Sequence, residues 1–380
     1  RELLPRPVFS YAKVPYRIKP FESLLEDAKD TVEYDHAAAK LIELRAARLG
    51  ADGRLLPDAN GEVLQVNLLE KLLVPLLAKL ANLVVDGGIW LNTQRPEWND
   101  ANNALVGQGL SMVTLYYMRR YTRFVQQLLD SESENIALSP EVSLWLQETS
   151  AALEEIRASL LQGTLSGEGR LFHLRQLGQS ANAYRQSLYD AGTLSGPVPS
   201  EFGGIRAMLD SALSVIERSI SSNIRRDGLY HAYNLRAVRD QSVEIEHLYP
   251  MLEGQGAVLS SGAVTPSEAV GMLETHFASD LYRADQKTFL LYPDRDLPGY
   301  LQKALVPADR IKSLPIIGHM LERGDTRIID RDANGDYRFS PSLTNARALT
   351  EIIGELASEY GEELETSGAV SNTHLRAPET

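Results

Sequence analysis

The 380-residue chain contains no cysteine. This absence excludes disulfide bonds, thiol nucleophiles and cysteine metal sites, and it leaves the redox compartment open. The seven histidines show no paired helical spacing of the kind that binds zinc. We therefore expect a protein that uses no metal and no organic cofactor.

The chain also lacks an apolar run long enough to cross a membrane, and it lacks an excess of basic residues. Charged residues and a proline interrupt the most apolar stretch, residues 68–85. The formal net charge of −13 argues against nucleic acid and anionic membranes as partners, because both bind basic surfaces. The same charge suits a protein that acts on neutral molecules. No signal peptide pattern is visible, so we expect a cytoplasmic location.

Apolar residues recur at helical spacing along most of the chain, and 43% of the residues are hydrophobic. Residues 21–49 read as one long helix, and residues 104–117 are apolar nearly all round, which is typical of a buried helix. The hairpin signal Asn-Gly occurs at Asn60-Gly61 and Asn334-Gly335, and we predict hairpins only near these two pairs. We predict an all-α fold, a toroid of the (α/α)6 or six-hairpin glycosidase type, with short β-hairpins in its loops.

The domain organisation follows from the two ends of the chain. Residues 1–20 are punctuated by proline and predict an extended segment, and residues 21–364 form the predicted toroid. The chain opens without an initiator methionine, so we expect it to be truncated. Residues 365–380 lack periodicity and predict a disordered tail, whose last residues, 370–380, resemble a translated sequencing adapter rather than native sequence.

A polar stretch runs from Asn92 to Asn103, between two apolar patterns. It combines two carboxylates, several amides, an arginine and a tryptophan within twelve residues. Amide and carboxylate groups bind neighbouring sugar hydroxyls in pairs, an indole face packs on a sugar ring, and a carboxyl group transfers protons. The alternative interpretation is a well-formed loop, because asparagine, aspartate and proline are ordinary turn residues.

Two further segments combine residues suited to a sugar cleft. The first, residues 225–234, contributes four candidate substrate-binding residues: Tyr230, His231, Tyr233 and Asn234. The second, residues 248–262, is rich in glycine and contributes Gln255 and a second carboxylate, Glu253. Structural packing explains both segments equally well, the first as a helix end followed by a loop with aromatic anchors.

Residues 330–336 begin like a calcium-binding EF-hand loop. The twelfth position of such a loop requires a bidentate glutamate, and here it is Pro341. The same Asp-Ala-Asn-Gly sequence occurs at residues 58–61, where no ligand set surrounds it. A hairpin turn explains both occurrences, so we predict no metal site here.

Residues 97–103, Glu-Trp-Asn-Asp-Ala-Asn-Asn, resemble the Asp-Trp-Asn-Asp-Gly-Met-Asn motif of cellobiose phosphorylases and related inverting glycoside phosphorylases. A broader similarity to large bacterial proteins labelled cellobiose phosphorylase-like covers residues 89–117, 230–234 and 252–262. The resemblance implies an (α/α)6 barrel, Asp100 as the general acid and inorganic phosphate as the nucleophile and co-substrate. It also implies a set of cleft residues, with Glu97 near the acid: Arg95, Glu97, Trp98, Asn99, Asn102 and Asn103.

The sequence departs from the family at three motif positions, 97, 101 and 102, and no match to the family's C-terminal phosphate site was found. Hydrolysis is therefore an alternative, and it would need Glu253 to activate water at roughly 6.5–9.5 Å from the acid. Two other classes stay open, a toroid epimerase or lyase and a non-catalytic carbohydrate-binding module. The sugar, its linkage and the oligomeric state are not determined by the sequence.

Overall fold

The computed structural model describes residues 2–92, 104–130, 136–239, 241–294, 299, 305–343 and 346–361. Its contacts divide the chain into two compact units, residues 1–294 and 295–380, which are described separately below. In the described part of the chain, no helix is both long enough and apolar enough to span a membrane.

Nine helices are described in the first unit, and a 3-10 helix, Gly50–Arg54, follows the second of them. Sequence signals mark several starts. Thr265 accepts a hydrogen bond from the Glu268 backbone, while the Glu268 side chain accepts one from the Thr265 backbone, and Pro266 follows. The helices are α1 Phe21–Glu26, α2 His36–Leu49, α3 Leu68–Leu80, α4 Met112–Leu129, α5 Pro140–Leu161, α6 Gly167–Ala191, α7 Phe202–Ser221, α8 Leu252–Ser261 and α9 Pro266–Phe277.

The largest apolar core lies among the helices. Helix α7 packs against α4 and α5, α5 also packs against α6, and α4 also packs against α8. The sequence predicts an apolar stripe over residues 205–224, and its members on α7, which include Ile205, Leu209 and Ile216, are buried in this core, whereas Ile224 lies beyond the helix and is exposed. The predicted helical periodicity of α7 is therefore confirmed, and it specifies the face that packs.

Eleven strands are described in the first unit, all of them short or in hairpins. They are β1 Tyr16–Ile18, β2 Val32–Tyr34, β3 Leu83–Val84, β4 Gly88–Trp90, β5 Gly109–Ser111, β6 Ile136–Leu138, β7 Val198–Ser200, β8 Tyr233–Arg239, β9 Ser242–His247, β10 Tyr282–Arg283 and β11 Thr288–Phe289. Five of them form one antiparallel sheet in the order β3-β4-β5-β8-β9. One row across this sheet aligns Trp90, Leu110, Asn234 and His247.

The predicted all-α toroid is wrong. The chain is 52% helix and 16% strand, and its five-stranded antiparallel sheet makes the fold mixed α/β. Residues 104–117 do not form one helix, because β5 occupies Gly109–Ser111 before α4 begins. Both β5 and the start of α4 are buried, so the run is apolar for two different reasons. Residues 21–49 are likewise divided into α1, β2 and α2.

The second unit has its own small core. It contains helices α10 Ala308–Ser313, α11 Pro315–Glu322 and α12 Ala346–Leu356, and strands β12 Leu305–Val306, β13 Ile329–Arg331 and β14 Tyr337–Phe339. The strands form an antiparallel sheet in the order β12-β14-β13. Ile316, Ile317 and Met320 of α11 pack with Leu349 and Leu356 of α12.

Both predicted Asn-Gly turns form. Asp332 accepts hydrogen bonds from the backbone N–H groups of Asn334 and Asp336 and from Arg338 Nε at 2.7 Å. Asp58 accepts from the backbone N–H groups of Asn60 and Glu62 in the equivalent way. The glycine of each turn has φ of +86°. Because the Asp332 carboxylate is engaged by the hairpin itself, the hairpin interpretation of residues 330–336 is confirmed.

Candidate functional site

The predicted site residues fall into two groups. Seven lie in the segment 93–103, outside the described residues: Arg95, Glu97, Trp98, Asn99, Asp100, Asn102 and Asn103. The other six, from residues 230–255, are all described. The first group therefore stays a prediction, and the structure constrains it only through the residues that flank the segment.

Strand pairing brings the flanks of segment 93–103 next to the second group. Leu91, just after β4, donates to the Gly109 carbonyl and accepts from the Gly107 amide. Strand β5 pairs with β8, where Ser111 lies opposite Tyr233. Leu105, two residues beyond the segment, packs against the cluster that contains Tyr233 and Met251. The candidate segments 92–103 and 225–234 are more than 100 residues apart in sequence, and strands that adjoin them, β5 and β8, are neighbours in the sheet.

Glu253 lies in the first turn of α8, because residues 252–261 form a helix rather than the glycine-rich loop that the sequence indicated. Gly262, with φ of +68°, ends this helix in the left-handed conformation. The Tyr233 hydroxyl donates to Glu253 Oε2 at 2.8 Å. The carboxylate is half-buried and therefore has a fixed neighbour and an accessible side.

Gln255 fastens the segment that precedes β8. Its Oε1 accepts from the Tyr230 amide at 2.9 Å, and its Nε2 donates to the Tyr230 and Met251 carbonyls. The side chain is 1% exposed. Its donors and acceptor are thus used within the protein, which orients Tyr230 rather than presenting an amide to solvent.

A chain of buried amides determines the orientation of one histidine. Asn223 Nδ2 donates to two backbone carbonyls, those of Asp86 and Ser219, so its Oδ1 is the acceptor for Asn234 Nδ2 at 2.8 Å. Asn234 Oδ1 then lies 2.7 Å from His247 Nδ1. Because an amide oxygen only accepts, His247 Nδ1 carries the proton and its Nε2 carries a lone pair.

His231 stacks on His247, with ring centroids 4.1 Å apart and an angle of 10° between the planes. Its Nδ1 lies 3.2 Å from the Leu248 carbonyl, so it too is the donor. Burial, with the neighbouring His247 and Arg225, lowers the pKa of His231 to about 4, and burial with Arg225 also lowers the pKa of His247. Both rings are neutral at pH 7, and each presents Nε2 as an acceptor.

Five of the six described candidates lie beneath the protein surface, and together they are called the wall of the candidate site. Tyr230, His231, Tyr233, Asn234 and Gln255 are all buried. His247 is exposed, and sequence reasoning missed it, together with Asn223 and Asp86. The alternation of charged and apolar residues at 243–247 is a strand signal, and it would have placed His247 opposite Asn234 had the pairing been foreseen.

Asp86, in the turn next to the wall, has an unusual backbone conformation. It has φ of +64° in the turn between β3 and β4, and it is a non-glycine residue. Its amide donates to Ser219 Oγ at 3.0 Å, and its buried Oδ1 lies 3.6 Å from Arg218 Nε. The strained turn fixes the carbonyls of Asp86 and Gly87, which accept from the two asparagines. Among the described residues, no group of three or more histidine, aspartate or glutamate side chains is arranged to hold a metal.

Comparison with protein families shows a similarity in the second unit. Residues 297–372 match the model of the GH149 phosphorylase insertion domain 2. This match supports a relationship to glycoside phosphorylases and a carbohydrate substrate. It does not support the more specific similarity to cellobiose phosphorylase-like proteins that residues 97–103 indicate. No curated protein matches the chain.

Proposed function

We propose that the chain catalyses the phosphorolysis of a glycosidic bond with inversion, with Asp100 as the general acid. The match of residues 297–372 to a phosphorylase insertion domain carries the proposal, because it is independent of the motif at residues 97–103. Two separate segments of the chain thus favour the same class of enzyme. The net charge of −13 is also compatible with an uncharged oligosaccharide as the substrate.

The chemistry requires one proton donor and one nucleophile. Asp100 donates its proton to the glycosidic oxygen as the bond to the anomeric carbon breaks. An oxygen of hydrogen phosphate attacks that carbon from the opposite face and gives the inverted glycosyl phosphate. The proton that the phosphate carried restores the Asp100 carboxyl group. Glu97, three residues away, favours the protonated form of Asp100 by charge repulsion.

The described residues contribute to substrate positioning in this proposal. The exposed His247 presents a neutral Nε2 that accepts a hydrogen bond from a sugar hydroxyl, and its tautomer is held by Asn234. His231 supports the ring from behind. Glu253, oriented by Tyr233, accepts from a second hydroxyl. In a phosphorylase Glu253 has no water to activate, which separates this role from that of the base in a hydrolase.

The test is product analysis with and without inorganic phosphate on α- and β-linked gluco-oligosaccharides. We expect turnover only with phosphate, and a glycosyl phosphate whose anomeric configuration, read by NMR, is opposite to that of the substrate bond. Release of reducing sugar at the same rate without phosphate would replace the proposal with hydrolysis. Binding of oligosaccharide without any turnover would favour the carbohydrate-binding module.

A further inference from the structure

A cavity of about 910 Å³ lies among residues 12–18, the first half of α2 and the end of α6. Pockets that take small molecules span roughly 300–1,000 Å³, so this cavity has the size of a ligand site. Its described lining residues fall within 12–18, 32–41, Leu56 and 188–192, and none of them belongs to the wall of the candidate sugar site. The cavity is therefore a separate candidate binding site.

Hydrogen bonds fix the sides of this cavity. The Ile18 amide donates to the Tyr189 hydroxyl on α6 at 3.0 Å, and the Asp35 amide, just before α2, donates to the Pro15 carbonyl at 2.8 Å. The Arg17 guanidinium carbon lies 5.4 Å from the centre of the Tyr189 ring. Residues 12–18 are thus tied to both helices, so the protein alone forms the cavity.

The lining of the cavity is mostly aliphatic. Ten of the seventeen described lining residues are alanine, valine, leucine or isoleucine. One of them, Leu41 on α2, is 60% exposed, and none of the fourteen residues of α2 is buried. A sugar needs several convergent hydrogen-bonding groups, whereas an apolar ligand body would remove this aliphatic surface from water. The lining therefore favours a ligand with an apolar body.

Lys13 lines the cavity as a half-buried cation. Its Nζ donates to the Gly192 carbonyl at 3.1 Å, and in the part of the chain that the structure describes no carboxylate forms an ion pair with it. Burial and the nearby Arg45 and Arg17 lower the pKa of Lys13. An anion beside this ammonium would stabilise its charged form.

The two carboxylates that line the cavity are not partners of Lys13. Asp35 accepts from the Ala38 amide at 2.8 Å, which caps α2, and pairs with Arg17 Nη2 at 2.8 Å. Asp190 is exposed, and it forms no ion pair with a described lysine or arginine. The Arg17 charge is thus neutralised by Asp35, and the ammonium of Lys13 keeps its capacity to bind an anion.

We propose that this cavity binds an amphipathic organic acid, with its apolar body against the aliphatic lining and its carboxylate on Lys13. An ammonium is a compact point charge and suits a singly charged carboxylate, while the guanidinium of Arg17 is already engaged by Asp35 and Tyr189. A ligand held there would contact residues 12–18, α2 and α6 together, and would stabilise the folded chain. The inference does not depend on the proposed phosphorolysis.

The experiment measures ligand binding by the 380-residue chain, by calorimetry and by thermal unfolding, with octanoate and with octanol. The two probes share an apolar chain and differ in charge. Lys13→Met removes the ammonium and keeps an apolar side chain, and Ala38→Trp fills the cavity from α2. The matched control is Lys79→Met, which removes an exposed lysine of α3 that lies outside the cavity lining.

We expect the wild type to bind octanoate more tightly than octanol. Lys13→Met should weaken octanoate binding about fivefold or more, because one charged hydrogen bond is lost, and should leave octanol binding unchanged. Ala38→Trp should weaken the binding of both probes, and Lys79→Met should weaken neither.

Four results would overturn the inference: no binding of octanoate to the wild type, equal affinities of the wild type for octanoate and octanol, equal losses of octanoate binding in the two lysine variants, or wild-type octanoate affinity of Ala38→Trp. The octanol comparison and the two lysine variants decide the outcome even if Ala38→Trp disturbs folding.

Discussion

His231 and His247 stack face to face, and a hydrogen bond from each Nδ1 fixes both rings in the same tautomer. Two protonated rings at a centroid distance of 4.1 Å would repel each other, and His231 is also buried. The pair therefore resists protonation in the folded state, although an unfolded chain protonates ordinary histidines near pH 6.5.

This resistance predicts a loss of stability in acid. The folded-state pKa of each ring lies below its unfolded value, and that of His231 is about 4. As pH falls from about 6.5 towards 4, the unfolded state takes up protons that the folded state refuses, so stability declines. The buried His231 contributes at most about 1.4 kcal/mol per pH unit, and the exposed His247 contributes less because solvent screens its charge. Urea denaturation at pH 7.5, 6 and 5 should show a shallower decline for His247→Gln, and parallel declines would contradict the assignment.

Asp100→Asn should preserve the fold and lower turnover of an unactivated glycoside by two or more orders of magnitude, because the leaving oxygen is no longer protonated. Substrates with good leaving groups need little protonation and should lose less. Asp58→Asn is the matched control, since it changes a half-buried turn residue in the same Asp-Ala-Asn sequence and should keep wild-type turnover. Wild-type turnover of Asp100→Asn on the unactivated substrate would show that Asp100 is not the acid.

Glu253→Gln distinguishes the two reactions that use such an acid. In phosphorolysis the variant should keep turnover within about tenfold at saturating phosphate, because no water is activated. Its main effect should be a higher KM for the sugar, since the bond from Tyr233 and a sugar contact are altered. Steady-state kinetics with varied phosphate measures both parameters. A loss of turnover as large as that of Asp100→Asn would identify Glu253 as a catalytic base.

Gly178 in α6 should not tolerate alanine. A Cβ atom there would lie 2.2–2.5 Å from three carbons of the Phe21 ring, which is 3% exposed and edge-on to Trp90. Relieving the clash should cost about 1–3 kcal/mol in the free energy of unfolding. Gly271→Ala in α9 meets no atom within 4 Å and should stabilise by up to about 1 kcal/mol. Chemical denaturation of both variants tests the contrast, which equal effects would contradict.

Glu70 is buried and takes part in three hydrogen bonds as an acceptor, from the Tyr11 hydroxyl at 3.0 Å and from the Ser139 amide and hydroxyl at 2.7 and 3.0 Å. Glu70→Ala leaves these donors unpaired and should cost roughly 3 kcal/mol or more. Ser139→Ala removes one donor and should cost about 1 kcal/mol. Burial raises the pKa of Glu70, so the neutral Glu70→Gln should cost less than alanine. The denaturation midpoint should fall most for Glu70→Ala and less for Ser139→Ala and Glu70→Gln. Equal losses in the three variants would refute the network.

The sequence predicted helices well where an apolar stripe recurred over several turns, as on α7, and where a capping residue marked the start, as at Thr265. It failed at short buried strands. Gly109–Ser111 is three residues long and buried on every side, so neither alternation nor length distinguishes it from the helix that follows. Tyr233 and Glu253 were foreseen by residue type, but the position of His247 beside Asn234 depends on long-range strand pairing that no local pattern reveals.

The pairing of β5 with β8 also bears on the order in which the protein folds. Leu110 lies opposite Asn234, and 123 residues of chain separate them. The backbone hydrogen bonds of helices α4 to α7 are local to each helix and can form while that loop is open, whereas the β5–β8 ladder must first close it. The ladder is only three residue pairs long. A newly made chain should therefore form these helices before the ladder that joins the two candidate segments. Brief local opening of the ladder would separate those segments while the helices stay formed, and faster amide exchange at Leu110 and Asn234 than in α7 would reveal it.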